Sequence, residues 1–141
     1  MSISHSLETA LLYGILDLSY VSEADVPATA QAMLAGGVGI IQLRAKKQNP
    51  KALLPLASEL ATICSDAGIP FIINDHPQLA IDSGADGVHV GQDDLRVAEV
   101  RQQIGPDKIV GLSTHSLQQA RDAVIQQPDY IGFGPLFATP T

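Results

Sequence analysis

The chain has 141 residues, 45% of them apolar, which is enough for one domain with a real core and too apolar for disorder. Its formal net charge is −7, with 8 Lys and Arg against 15 Asp and Glu, so it lacks the basic surface that nucleic acid and anionic membranes select. No apolar run approaches the roughly 18 residues of a membrane span, and MSISHSLETA at the start has neither the basic flank nor the apolar stretch of a signal peptide.

Cys64 stands alone, so no intrachain disulfide forms, and a reducing, cytoplasmic setting is expected. Its context, LATICSDAG, is the apolar face of a helix, where a buried inert thiol is expected rather than a nucleophile.

In chain order, LLYGILDL (residues 11–18) reads as the first strand. A helix follows from Ser22 as N-cap, with Glu23 and Asp25 in its first turn, and stops at Gly36-Gly37. VGIIQL (38–43) is the second strand. Residues 50–67 form a longer helix opened by Pro50 and closed by Gly68, with a distortion expected at Pro55. Residues 71–73 and 87–90 are the third and fourth strands, around a short helix closed by Ser83-Gly84. A helix over 95–104 leads to a fifth strand, KIVGLS (108–113). Ser116 caps a helix over 116–127, and DYIGFG (129–134) is the sixth strand before a Gly/Pro/Thr loop.

Alternating strands and helices with short connections imply parallel pairing and right-handed crossovers. An open doubly wound sheet would gather its polar residues near one switch point, whereas a barrel aims every strand end at one mouth. Here polar residues follow every strand from the second to the sixth, which favours an α/β TIM (β/α)8 barrel. Six strands do not close eight, so residues 1–141 are expected to be a single partial barrel domain, the front of a longer one.

The strand ends carry the chemistry. Asp75 ends the third strand and Asp94 follows the fourth; parallel neighbours lie roughly 4.8 Å apart, so the two carboxylates can converge on one cation. Mg²⁺ suits them, because it keeps waters and shares its shell with substrate phosphate. In QLRAK, Gln42, Arg44 and Lys46 alternate with apolar positions and point one way in an extended chain. They are either a solvated edge or an anion grip; beside a metal pair in an acidic protein, a diphosphate substrate fits best. His89 lies between Val88 and Val90 and is expected to point into the barrel as a satisfied core histidine. A zinc site from His76, His89 and His115 is the competing reading, without a close ligand pair to support it. Ser113 can donate to a bound anion or to a polar ring substituent, and nothing resembles a nucleophile elbow. Gly132, Gly134, Thr139 and Thr141 form either a phosphate cradle or a plain Gly/Pro turn.

Taken together and in this order, QLRAK, IND, GADGVHVGQDD, GLSTH and GFGPLFATPT closely resemble the thiamine-phosphate synthase (thiamine-phosphate pyrophosphorylase) family, over about residues 12–141. The resemblance implies a TIM barrel. It also implies transfer of the 4-amino-2-methyl-5-pyrimidinylmethyl group from its diphosphate to a thiazole phosphate, giving thiamine phosphate and diphosphate. By position, Gln42, Arg44, Lys46, Asn74 and Ser113 match contacts to the pyrimidine diphosphate. Asp75 and Asp94 match the Mg²⁺ ligands, and Thr139 and Thr141 match the thiazole-phosphate loop. Asp93 falls at a variable position and is not carried over. Ala45 stands where many members have an acid, and the lysine that follows the Thr-x-Thr segment would come after Thr141. The implied partners are small molecules, with no nucleic acid and no membrane, and a homo-oligomer stays open. Two other readings share the sequence: a thiazole tautomerase-like relative, which does not need the diphosphate-metal apparatus, and a non-catalytic phosphate-binding module.

Overall fold

The apolar runs pair as parallel strands because each is short, rich in β-branched residues and followed by a helix that carries the chain back. In the computed structural model, which describes residues 7–140, the strands are β1 (Tyr13–Asp17), β2 (Ile40–Arg44), β3 (Phe71–Asn74), β4 (Gly87–Val90), β5 (Ile109–Thr114) and β6 (Tyr130–Phe133). The helices are α1 (Val26–Ala35), α2 (Leu54–Ala67), α3 (Pro77–Ser83), α4 (Val97–Ile104) and α5 (Leu117–Gln126). All six strands run parallel in chain order, β1 through β6, with no reversal that would make a switch point. The sheet curls as an arc of a TIM barrel. The expected barrel architecture therefore holds, and so does each expected strand to within a few residues.

Two local expectations change. α1 begins at Val26 with Asp25 as its N-cap, three residues later than expected. Ser22 instead closes the preceding turn, its hydroxyl bonded to the Asp25 carboxylate at 2.6 Å. Pro27 sits in the first turn of α1, where a missing N–H costs nothing. The segment opened by Pro50 is a 3-10 turn, Pro50–Leu53, which passes into α2 at Leu54. Pro55 then occupies the first turn of α2 and leaves the helix intact; the expected distortion is the change of helix type before it. Ser116 caps α5 as expected, accepting from the Gln119 N–H at 3.1 Å.

Alternation along each strand divides the side chains between two faces. Leu16, Ile41, Leu43, Ile73, Val88, Val90, Val110 and Leu112 face outward and pack with helical residues such as Ala30, Leu60, Leu79 and Val100. Cys64 belongs to this layer and is fully buried; burial, with the Asp86 charge nearby, pushes its thiol up to about 12. On the inner face Ile40, Ile72 and Ile109 form a separate cluster, with Tyr13 and Tyr130 packed on it. Two aspartates secure the amino ends of strands. Asp86 accepts from the Phe71 N–H at 2.8 Å, and Asp129 accepts from the Val110 N–H at 2.7 Å and from Arg101 at 2.8 Å. These carboxylates lie at the end of the sheet opposite the polar mouth.

β4 and β5 approach so closely at Gly87 that a Cβ there would lie 2.3 Å from the Ile109 carbonyl oxygen. Both atoms belong to the paired ladder, so neither can move aside. Gly87→Ala should therefore destabilise the protein by about 3 kcal/mol, the upper part of the range for overpacking. Gly36→Ala, at a helix end with φ −80° and its nearest neighbour 3.4 Å away, should cost less than about 1 kcal/mol. Thermal unfolding of the two variants checks the difference; equal losses would contradict it.

Candidate active site

The inner face changes from apolar to polar along the strands. Ile40, Ile72 and Ile109 make a floor. Two residues further along the same strands stand Gln42, Asn74 and Gly111, with His89 beside them on β4 and Ser113 one step higher on β5. At the carboxyl ends of the strands a cavity of about 530 Å³ opens, lined by Gln42, Arg44, Asn74, Ser113 and Thr139 together with His89 and both inner tyrosines. Five of the residues matched by position to substrate contacts thus share one cavity. Thr141 lies outside the described residues.

Beneath the cavity runs a continuous chain of hydrogen bonds. Gln42, only 3% exposed, donates from Nε2 to the Tyr13 hydroxyl at 2.7 Å. The Tyr13 and Tyr130 hydroxyls meet at 2.7 Å. Tyr130 meets His89 Nδ1 at 2.9 Å, and His89 Nε2 meets Ser113 Oγ at 2.7 Å. Burial pushes the Tyr130 phenol far above its ordinary value, and the neighbouring Tyr13 hydroxyl adds to this. Burial likewise raises Tyr13, against the opposing hydrogen bonds from Tyr130 and Gln42. Both phenols keep their protons at neutral pH. Burial depresses the His89 imidazole to about 4; Asp75 works in the opposite direction and Lys46 in the same one.

His89 is therefore the satisfied, inward-pointing histidine that its flanking valines predicted. The zinc reading is not assembled. His76 lines an outer groove with Asn49 and Leu54, and His115 sits at the mouth, where its Nδ1 lies 2.7 Å from the Gly134 carbonyl. Among the described residues, no group of three or more His, Cys, Asp and Glu could hold a metal.

The charges at the mouth are paired. Arg44 bonds Asp17, its register partner on β1, and Lys46 bonds Asp75. Burial alone would raise the Asp17 carboxyl, but the Ser19 N–H and the Arg44 guanidinium outweigh it and hold it below its ordinary value. Asp75 follows β3 with a left-handed φ of 64°, and its N–H donates to the His89 carbonyl at 2.9 Å. Asp94 accepts from the Gly91 N–H at 2.7 Å and lines an adjoining hollow with Gly91 and Gln92, not the central cavity. Asp75 and Asp94 follow the neighbouring strands β3 and β4, and among the described residues no group of three or more such side chains forms around them. That set of hard oxygen donors fits Mg²⁺, which draws the rest of its shell from water and phosphate, and does not fit a metal that needs a closed protein cage.

The profile of the TMP-TENI family, described as thiamine monophosphate synthase, matches residues 12–141. The chain belongs to the thiamine monophosphate synthase family. It is 48% identical over 128 residues to the thiamine-phosphate synthase of Shouchella clausii and 43% identical over 128 residues to that of Halalkalibacterium halodurans. In both cases the match covers 91% of this chain and 61% of the relative, so the chain spans about three-fifths of these relatives' length. Among solved structures it resembles the thiamine phosphate pyrophosphorylase of Pyrococcus furiosus, with a TM-score of 0.80 and 29% identity, covering 91% of this chain and 61% of that one. A magnesium-bound racemase from Streptomyces coelicolor shares the fold alone, with a TM-score of 0.60 and 14% identity, covering 89% of this chain and 42% of that one.

Within the thiamine monophosphate synthase fold, three participants escaped the sequence reading as site residues. Tyr13 and Tyr130 lie in apolar strand runs, where tyrosine reads as a strand former. Asp17 ends β1, and its pairing with Arg44 follows from strand register.

The depressed His89 value has a sign that can be measured. Above pH 6.5, the ordinary histidine value, folded and unfolded chains are both neutral at this group. As the pH falls below that point, the unfolded chain binds a proton that the folded protein refuses until about pH 4. Stability is therefore lost on acidification, on the order of 3 kcal/mol by pH 4 from this group. Denaturant unfolding between pH 7 and 4 should show a steeper acid loss for the natural sequence than for His89→Gln; identical slopes would contradict it.

Proposed function

We propose that the protein of which this chain is part is a Mg²⁺-dependent thiamine-phosphate synthase. It would transfer the 4-amino-2-methyl-5-pyrimidinylmethyl group from diphosphate to a thiazole phosphate. The observation that carries this reading is the convergence of Gln42, Arg44, Asn74, Ser113 and Thr139 on one cavity at the strand ends, in a chain whose relatives bear that name.

Asp75 and Asp94 would hold the metal, which when bound supplies positive charge to the departing diphosphate. Arg44 and Lys46 grip the same anion. They arrive already oriented, because Asp17 and Asp75 fix their head groups at the mouth. Ser113 donates to a diphosphate oxygen. Gln42 and Asn74 meet the pyrimidine portion, and Thr139 and Thr141 meet the thiazole phosphate.

The amino group of the pyrimidine feeds electrons toward the exocyclic carbon, so its C–O bond to diphosphate breaks with the electron pair leaving on oxygen. The thiazole nitrogen then bonds to that carbon. No protein nucleophile is required, and the catalytic task of these side chains is to stabilise charge on the leaving group.

In the intact protein, Asp75→Asn or Asp94→Asn should weaken Mg²⁺-dependent diphosphate binding at least about tenfold, the loss that even outer partners of a metal produce. Calorimetric titration at limiting Mg²⁺ measures it, and unchanged binding in either variant would remove that residue from the metal site. Lys46→Ala should raise KM for the pyrimidine diphosphate about tenfold or more, as expected when a charged hydrogen-bond partner is lost. KM for the thiazole phosphate should stay nearly constant; a parallel rise in both would place Lys46 outside the diphosphate site.

A further inference from the structure

The hydrogen-bond chain beneath the cavity joins Gln42 at one end to Ser113 at the other, through Tyr13, Tyr130 and His89. Its hydrogens can be ordered in two directions, and the two are not equivalent. Gln42 Nε2–H donates to the Tyr13 oxygen. If Tyr13 then donates to Tyr130, Tyr130 donates to His89 Nδ1, and His89 carries its hydrogen on Nε2 and donates to Ser113 Oγ. Every hydrogen in that sequence has an acceptor, and the Ser113 hydrogen is left for the cavity. In the reverse order the Tyr13 oxygen would accept twice while its own hydrogen met no partner in the chain. Ser113 would also spend its hydrogen on His89 and present only lone pairs to an anion.

The fold makes room for this chain at one position. A Cβ on Gly111 would lie 2.2 Å from Tyr130 Cζ, 2.4 Å from its hydroxyl oxygen and 2.5 Å from His89 Nδ1. Glycine on β5 lets the phenol and the imidazole meet.

We propose that Tyr13, Tyr130 and His89 are positioning residues that order these hydrogens so that Ser113 offers its own to an anionic group in the cavity. The identity of that group as diphosphate rests on the function proposed above; the order of the hydrogens does not.

Two measurements on the intact protein test this. The first is long-range ¹H–¹⁵N correlation NMR of ¹⁵N-histidine-labelled, ligand-free protein at neutral pH. His89 should be the Nε2–H tautomer; an Nδ1–H tautomer would overturn the proposal, and no variant is needed to see it. The second is calorimetric binding of inorganic diphosphate with Mg²⁺ to the natural sequence, Ser113→Ala, Tyr130→Phe and the double variant. Each single change should weaken binding about tenfold, as for one hydrogen bond to a charged group. The double variant should be no weaker than either single one, because both remove the same donated hydrogen. Losses that multiply would mean Tyr130 acts independently of Ser113 and would overturn the proposal. If the natural sequence binds no Mg²⁺-diphosphate, the functional reading fails instead. The tautomer then decides the hydrogen order by itself, Nε2–H upholding it and Nδ1–H refuting it.

Discussion

Everything in this fold depends on the two-residue alternation of parallel strands held in one register. It sends Ile41, Leu43, Ile73 and Val88 outward to the helices and Ile40, Gln42, Ile72 and His89 inward. A slip of one residue in β2 would put Gln42 and Arg44 under α1 and α2 and turn Ile41 and Leu43 into the polar mouth. The buried outer layer forbids that, so packing of the helices is what aims the polar groups at the cavity.

The same alternation decided what was legible. The strand runs were readable because each is apolar, short and bounded by Gly, Pro or Asp. The inward direction of His89 could be read from its two flanking valines, and Arg44 from its spacing to Gln42. The start of α1 is obscured in the sequence because Ser22, followed by acidic residues, looks like an N-cap until the turn it closes is visible. The roles of Tyr13 and Tyr130 were not legible. They lie 117 residues apart, and their contact depends on the curvature of the whole sheet, which no local pattern encodes. The Asp17–Arg44 pair is intermediate, since it follows once the β1–β2 register is known.

Charge is used sparingly and asymmetrically. With 8 cationic residues against 15 acidic ones, carboxylates outnumber cations, so a cation at the mouth readily finds a carboxylate partner. Arg44 and Lys46 are each held by a carboxylate at the carboxyl end of a neighbouring strand, which restrains long side chains that would otherwise sample many rotamers. Asp86 and Asp129 serve a different purpose at the other end of the sheet, where they bind backbone N–H groups. Asp86 and Asp129 thus brace strand backbones at the amino ends, Asp129 while also holding Arg101, and Asp17 and Asp75 restrain the cations at the mouth.

The strand order has a further meaning for assembly. Because neighbours in the sheet are neighbours in the chain, each β–α segment can dock on the one made just before it, during synthesis as well as in refolding. No step has to close a 117-residue loop at once to join Tyr13 to Tyr130. The distance is covered by successive short closures, and the entropic cost of each grows only slowly with its length. Until β6 docks, however, His89 Nδ1 lacks its phenol. The polar interior is therefore completed by the last of these strands to emerge, and an arc ending at β5 would carry a histidine free to exchange tautomers.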